Sequence, residues 1–97
     1  MPEVVFGPAA RVEIAEAAAW YEARRAGLGE AFVAEIDHIV GRMKSNSRQF
    51  PVLHRGIRRA LLRHFPYGLF FLIHPDVIHV LACFHSSRDP RGWRERG

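Results

Sequence analysis

The most regular pattern of apolar and polar residues lies in the C-terminal half of the chain, where three apolar runs of strand length follow one another. The runs cover residues 57–65, 69–74 and 77–85, with turn-forming residues at 66–68 and 75–76 between them. Short apolar runs bounded by such residues are typical of β-strands. Connections this short return each strand antiparallel to the one before it. The pattern therefore predicts three strands joined as a meander.

Side chains alternate between the two faces of a strand, so two-residue loops at 66–67 and 75–76 would assign every residue to a face. One face would be wholly apolar, with Ala60, Leu62, Leu69, Phe71, Ile73, Ile78, Val80, Ala82 and Phe84. The other would be mixed, with Arg59, Leu61, Arg63, Phe70, Leu72, His79, Leu81, Cys83 and His85. A proline at the first loop position suits primed hairpin turns poorly, so one or both loops could be a residue longer.

The N-terminal half predicts one short strand and two helices. The strand covers residues 3–6, and apolar residues at helical spacing then run from Pro8 to about residue 26. Glycines at 27 and 29 end this helix, and a second helix continues to about residue 46. Its apolar stripe consists of Phe32, Ile36, Ile39, Val40 and Met43. Because the linker is short, the two helices should form an antiparallel hairpin.

Two segments lack a clear period. Residues 45–56 contain Ser, Asn, Pro and Gly and predict one long loop, with Phe50 as an anchor. After the third run, Asp89 and Pro90 resemble an N-cap and the first helical position of a turn that includes Trp93.

The element order β-α-α-β-β-β predicts a two-layer α+β fold, with a helical hairpin packed on an antiparallel sheet in one domain, residues 1–97. The helices would cover the apolar face. The other face would expose Phe70, Leu72 and Leu81, a patch of the kind that marks a partner site, unless the tail through Trp93 covers part of it.

Composition narrows the class of protein. A chain of 97 residues with 48% hydrophobic and 25% charged residues is typical of one small globular domain. Its net charge of +4 favours an acidic partner such as nucleic acid or an acidic polypeptide. One cysteine, Cys83, allows no disulfide within the chain, and the histidines lack ligand spacing, so we expect no metal and no cofactor. No export signal or membrane-spanning run is visible, so we expect a cytoplasmic protein with no membrane partner.

An ordered set of motifs across nearly the whole chain resembles the RelE/ParE superfamily of toxins from bacterial toxin–antitoxin systems. The motifs are Trp20-Tyr21-Glu22, Gly27-Leu28-Gly29 with Phe32, Phe50-Pro51, Arg58-Arg59, Phe65-Pro66-Tyr67, Val80-Leu81-Ala82 with His85, Arg88-Asp89-Pro90 and Trp93. Each motif is weak alone, but the ordered set is fairly specific. The Phe65-Pro66-Tyr67 turn and the Arg88-Asp89-Pro90 tail resemble the ParE-like, plasmid-stabilisation branch.

The branch decides the activity that the resemblance implies, because RelE-like members cut messenger RNA in the ribosome and ParE-like members act on DNA gyrase. Cutting RNA needs an acid, a base and cations for the charged phosphorane, and the candidates are His85, Arg59 and Arg63. RelE-type sites resemble a strand arginine combined with a C-terminal His-Tyr pair or a tyrosine. Here residues 67–69 occupy the region where that arginine is expected, and Ser86 follows His85. The set of catalytic residues that the resemblance implies is therefore incomplete. We therefore expect no catalytic residue and a ParE-like gyrase inhibitor, with ribosome-dependent cleavage of mRNA as the alternative.

The resemblance also implies a ParD-like antitoxin, bound in a toxin–antitoxin hetero-oligomer. The apolar patch of Phe70, Leu72 and Leu81 is the predicted antitoxin site. Arginines that cluster with aromatic residues form the predicted target site: Arg58, Arg59, Arg63, Arg88 and Trp93. A stand-alone nucleic-acid-binding module is a third hypothesis, based on charge.

Overall fold

The computed structural model describes residues 2–97, and its elements follow the predicted order with one additional strand. The strands are β1 (Glu3–Phe6), β2 (Val52–His54), β3 (Ile57–Leu61), β4 (Tyr67–Ile73) and β5 (Val77–His85). The helices are α1 (Pro8–Arg24), α2 (Leu28–Asn46) and the single turn α3 (Arg91–Arg94). A 3₁₀ turn, Ser47–Gln49, follows α2. Within residues 2–97, no helix is both long and apolar enough to cross a bilayer.

The five strands form one sheet in the order β1-β5-β4-β3-β2. Strands β2 to β5 pair antiparallel, whereas β1 lies parallel to β5. The sheet is therefore mixed rather than antiparallel throughout. No short turn sets the direction of β1, because both helices and the meander separate it from β5. The predicted two-layer α+β fold is confirmed.

The helical hairpin closes through Glu22, the last residue of the Trp20-Tyr21-Glu22 motif. Its carboxylate accepts hydrogen bonds from the backbone N–H groups of Gly27 and Gly29, both at 2.9 Å. These bonds lower the pKa of Glu22. Gly27 adopts a φ of 89°, which favours glycine. A Cβ on Gly29 would lie 2.6 Å from the carbonyl oxygen of Ala18, so this close approach of α1 and α2 requires glycine.

The core lies between the helices and the sheet. Buried side chains from α1 and α2 meet those of β4 and β5, among them Ala10, Ala17, Phe32, Ile36, Ile39, Met43, Leu69, Phe71, Ile78 and Val80. At one end, Tyr21, Phe32 and Phe65 pack with ring centroids 4.8 to 5.5 Å apart. The predicted stripe of α2 is thus the helical side of the core.

The loop between β3 and β4 begins earlier than predicted, because β3 ends at Leu61. Ala60 pairs with Leu69 and not with Ile73, an even shift that leaves the predicted faces of β3 and β4 unchanged. Glu35 of α2 holds the loop by accepting hydrogen bonds from the backbone N–H groups of Arg63 and His64. Burial raises the pKa of Glu35, but these bonds and the His64 side chain outweigh it, and the net pKa lies below the ordinary value.

A β-bulge in β5 overturns part of the predicted face assignment. Near the turn the predicted register holds, with Ile73 opposite Ile78 and Phe71 opposite Val80. The register then shifts by one residue at Leu81, so that Phe70 lies opposite Ala82. A shift of one residue sends every following side chain to the other face. The residues moved to the helix side are Cys83 and His85, and those moved to the other side are Ala82 and Phe84.

The long loop predicted for residues 45–56 is wrong, because β2 and β3 form a hairpin there. Its two-residue turn consists of Arg55 and Gly56, with φ angles of 46° and 81°. Positive φ at both central residues is the conformation of primed hairpin turns. Arginine is not a typical residue for this conformation, which is why the pattern did not reveal the turn. Phe50 is buried against Phe71, as an anchor should be.

Candidate functional site

Two depressions flank the end of β5, one on each face of the sheet. The first, the helix-side cleft, has a volume of about 420 Å³ and is lined by Glu13, Glu16, Ala17, Trp20, Tyr21, Tyr67, Cys83, His85 and Arg88. The second, the tail-side groove, has a volume of about 360 Å³. Its lining residues are Leu53, Arg59, Leu61, Gly68, Phe70, Phe84, His85, Ser86, Arg88, Pro90, Trp93 and Arg94. Both depressions therefore combine aromatic surface with charged side chains.

His85 lies in the helix-side cleft because of the bulge. Its ring packs 5.2 Å from that of Tyr67, the residue opposite it on β4. Its Nδ1 lies 3.0 Å from the backbone N–H nitrogen of Ser87 and 2.8 Å from the Ser87 hydroxyl. A backbone N–H can only donate, so Nδ1 accepts and the ring proton lies on Nε2. His85 therefore presents its Nε2–H donor to the cleft.

Three further titratable groups of the cleft, Tyr21, Tyr67 and Cys83, have raised pKa values. Burial raises the pKa of Tyr21 and of Tyr67, and the neighbouring Tyr21 and Cys83 raise the pKa of Tyr67 further. Burial also raises the pKa of Cys83 to about 12, with a smaller contribution from the negative charge of Glu13. A thiol with this pKa is not a nucleophile near neutral pH. The cleft thus offers hydrogen-bond donors to a ligand and no activated nucleophile among these three groups.

Glu13 connects the cleft to the C-terminal tail, a role that the sequence analysis missed. Its carboxylate accepts hydrogen bonds from the Cys83 backbone N–H at 3.0 Å and from two Arg96 nitrogens at 2.9 and 2.8 Å. Arg88 contributes a further bond at 3.2 Å. Arg96 also donates to the Leu81 carbonyl at 3.0 Å. The only signal in the sequence is a carboxylate next to the apolar stripe of the first helix.

The geometry of the sheet edge explains this arrangement. Strand β1 pairs with β5 only as far as Val80, so the outer edge of β5 beyond that point has no neighbouring strand. Free N–H and C=O groups at a sheet edge need other partners. The Glu13 carboxylate accepts a hydrogen bond from the Cys83 N–H, and the Arg96 guanidinium donates one to the Leu81 carbonyl. Side chains from α1 and the tail thus take the place of a strand.

The tail covers the face that was expected to be exposed. The Trp93 ring stacks on Phe70 with centroids 4.4 Å apart and an interplanar angle of 16°. Phe70 and Leu81 are only 5% and 6% exposed, and Leu72 packs beside them. Of the two alternatives, an exposed patch of Phe70, Leu72 and Leu81 or its cover by the tail, the structure therefore shows the second. Trp93 is 4% exposed, so it packs inside the protein and presents no surface to a target.

Arginines remain accessible around the tail-side groove. Arg88 lies with its Cζ 3.8 Å over the ring of Phe84, and Arg94 lies 5.5 Å over Trp93. Arg59 lines the groove, and its Nε is buried without a hydrogen-bond partner in the described chain. The groove therefore has an aromatic floor and a rim of three guanidinium groups.

The predicted target and catalytic residues do not form one surface. Arg58 lies on the helix side, opposite Phe71, while Arg59 lies opposite Phe70 on the tail side. Arg63 lies on the loop after β3 and lines neither depression. The His85 ring packs on the helix side with Tyr67. The expectation that His85, Arg59 and Arg63 share one open face is therefore wrong for Arg63, which lies on the loop after β3, and for the His85 ring, which the bulge turns to the helix side. His85 and Arg59 nevertheless both line the tail-side groove.

The fold is a helical hairpin packed on a mixed five-stranded sheet in the order β1-β5-β4-β3-β2. No protein-family model matches the chain, and a search of curated proteins also finds no match. Among solved structures, the fold matches a chain of the chromosomal ParDE TA system from P. aeruginosa with a TM-score of 0.77. The match covers 88% of this chain and 96% of that chain, at 17% sequence identity. At this identity the likeness establishes the fold.

Proposed function

We propose that this protein is the toxin of a type II toxin–antitoxin system, that it inhibits DNA gyrase by binding it, and that a ParD-like antitoxin neutralises it. The observation that carries the proposal is the ParE-like fold, which extends over 88% of the chain and matches a chain of a ParDE system. Fold alone does not define an activity, so the side chains must support it. Both depressions at the end of β5 do so through their aromatic and arginine side chains, which dominate binding energies at interfaces.

Inhibition by binding agrees with the separation of the candidate catalytic groups. Charge stabilisation in phosphoryl chemistry requires cations aimed at the reacting phosphate. Arg63 lines neither depression, and the Nδ1 of His85 is occupied by Ser87. A binding role needs neither group at a reacting atom. We assign gyrase contact to the exposed cations Arg63 and Arg88 and to the half-buried Arg58 and Arg59. We assign Trp93 the role of holding the tail in place.

The decisive experiment compares the two possible targets directly. Purified protein is added to gyrase with relaxed plasmid and, separately, to ribosomes translating a defined message. We expect loss of supercoiling with accumulation of cleaved DNA, and an intact message. Arg63→Glu should weaken the inhibition because this side chain is exposed, whereas Arg25→Glu on the linker between the helices is the matched control. Normal supercoiling together with a cut message would overturn the proposal.

We place the antitoxin in the tail-side groove. The groove retains apolar floor from Phe70 and Phe84 beside the guanidinium groups of Arg59 and Arg94. An acidic segment with apolar side chains that folds on binding would satisfy both features. The segment would lie against the tail, since the patch of Phe70, Leu72 and Leu81 is covered by Trp93.

This placement is tested with the cognate antitoxin, for which an acidic open reading frame directly adjoining the gene would be the candidate. Arg59→Glu combined with Arg94→Glu should weaken its binding by at least about tenfold, because two charge-assisted contacts become repulsive. Arg11→Glu combined with Arg25→Glu changes the net charge equally and should leave the affinity unchanged. Equal affinities for both double variants in calorimetry would rule out the groove.

One observation favours the alternative, a ribosome-dependent endoribonuclease. The His85 imidazole and the Tyr67 phenol pack together in the helix-side cleft, and both carry a proton that could be donated. In that case His85→Gln would reduce cleavage by about 10²- to 10⁴-fold. For a gyrase inhibitor the same change should leave growth inhibition largely intact.

A further inference from the structure

The charges of this protein are strongly separated along the chain. No carboxylate occurs between Asp37 and Asp76, yet this segment holds seven of the 14 Lys and Arg residues. The rest of the chain carries the other seven cations and all ten carboxylates, and is therefore net negative. The positive net charge thus comes entirely from one contiguous segment.

The seven Lys and Arg residues of this segment form no ion pair with a carboxylate among residues 2–97. Among residues 2–97, the carboxylates that form ion pairs contact Arg88, Arg91, Arg96 and His64, and none of the seven cations. Three arginines of the rest of the chain, Arg88, Arg91 and Arg96, pair with carboxylates, while no Lys or Arg of the segment does so among residues 2–97.

Five of these cations lie between the last turns of α2 and the start of β3, and we call them the basic end: Arg42, Lys44, Arg48, Arg55 and Arg58. Arg42 lies with its Cζ 5.1 Å over the Phe50 ring and donates to the Gln49 side chain at 2.7 Å. Arg58 donates to the Phe50 carbonyl at 2.6 Å. Neutral acceptors thus hold these two guanidinium groups in place without cancelling their charge.

We propose that the basic end binds the phosphate backbone of duplex DNA without regard to sequence. This inference rests on the proposed function, because gyrase holds a DNA duplex, and it adds that the toxin contacts that DNA as well as the enzyme. Four of the five cations are arginines, whose planar fork binds phosphate oxygens in pairs. They come from α2, the 3₁₀ turn, the hairpin turn and β3, which follow one another along the chain. Arg58 also donates to the Arg48 carbonyl at 3.4 Å, which brings these two arginines together. An acidic peptide would instead need an apolar groove beside the charges, which the tail-side groove supplies.

The test measures binding of a fluorescent duplex of about 30 base pairs by anisotropy, without gyrase, at about 50 to 200 mM salt. Five phosphate contacts predict that log K falls against log salt with a slope of about −4 to −5. The triple variant Lys44→Gln, Arg48→Gln, Arg55→Gln should have a slope shallower by about 3, and weaker binding at every salt concentration in this range. The triple variant Arg11→Gln, Arg24→Gln, Arg25→Gln loses the same charge and should retain the wild-type slope.

Several results would overturn the proposal. They are no binding at the lowest salt concentration, equal losses in the two triple variants, and tighter binding to single-stranded RNA or to polyglutamate than to the duplex. The gyrase assay separates this proposal from the proposed function. DNA binding without inhibition of supercoiling would contradict the gyrase assignment alone, and inhibition of supercoiling without DNA binding would contradict the basic end alone.

Discussion

Replacing Glu13 with alanine should loosen the C-terminal tail and destabilise the whole domain. The Glu13 side chain is 11% exposed and accepts hydrogen bonds from Arg96, Arg88 and the Cys83 backbone. The change would remove these bonds together and leave the Arg96 side chain, 26% exposed, without its carboxylate. It would also leave the Cys83 N–H at the outer edge of β5 without its hydrogen-bond acceptor.

The magnitude follows from the burial of the pair. Removing one partner of a fully buried ion pair costs about 3 to 5 kcal/mol. Since Arg96 is partly exposed, water replaces some of the lost contact, and we expect a loss of about 2 to 3 kcal/mol. For a domain of this size that corresponds to a fall in Tm of roughly 10 to 20 °C.

Thermal unfolding followed by circular dichroism gives the change in stability, and fluorescence reports on the tail. In a Trp20→Phe background the emission comes from Trp93, which is buried in the intact protein and should shift to longer wavelength when the tail detaches. Glu16→Ala is the matched control, one turn further along α1 and exposed, with an expected change within about 0.5 kcal/mol. Equal Tm values for Glu13→Ala and Glu16→Ala would contradict the role of Glu13 in holding the tail. A coupling energy near zero between Glu13→Ala and Arg96→Ala would also refute it.

Three further predictions concern stability. The pKa of Glu35 is lower in the folded protein than in the unfolded chain, so its contribution to the free energy of unfolding is present at neutral pH and is lost as pH falls through that pKa. Glu35→Gln should therefore destabilise the protein at pH 7 and match the stability of the wild type in acid. Urea unfolding at several pH values measures both. Trp93→Ala should cost about 3 kcal/mol and the half-exposed Trp20→Ala less than about 1 kcal/mol in urea titrations, and equal costs would contradict the packing of the tail. A Cβ on Gly92 would lie 2.7 Å from the Phe84 ring, so Gly92→Ala should lower Tm through a loss of about 1 to 3 kcal/mol, whereas Gly41→Ala, in open space within α2, should raise it.

The candidate site was predicted less well than the elements that carry it. Arg59 and Phe70 were assigned to the correct face, because the shift in register between β3 and β4 is even. His85 was assigned to the wrong face, because one extra residue at Leu81 reverses the alternation in the rest of β5. A bulge leaves no mark on a pattern of apolar residues when both faces of the strand are buried, as they are here.

Sequence patterns alone predict the core stripe of α2, the strands β3 to β5, the two-layer architecture and the element order except for β2. Each of these features depends on local periodicity or on a short connection, and both are properties of residues that are close together in the sequence. Only the three-dimensional structure shows the position of the bulge, the face of the sheet on which His85 lies and the packing of Trp93 on Phe70. These features depend on where β1 stops pairing with β5, and on Glu13 and Arg96 meeting at the edge that it leaves open. Residues so far apart along the chain meet only when the whole fold has formed, so no local pattern encodes their contact.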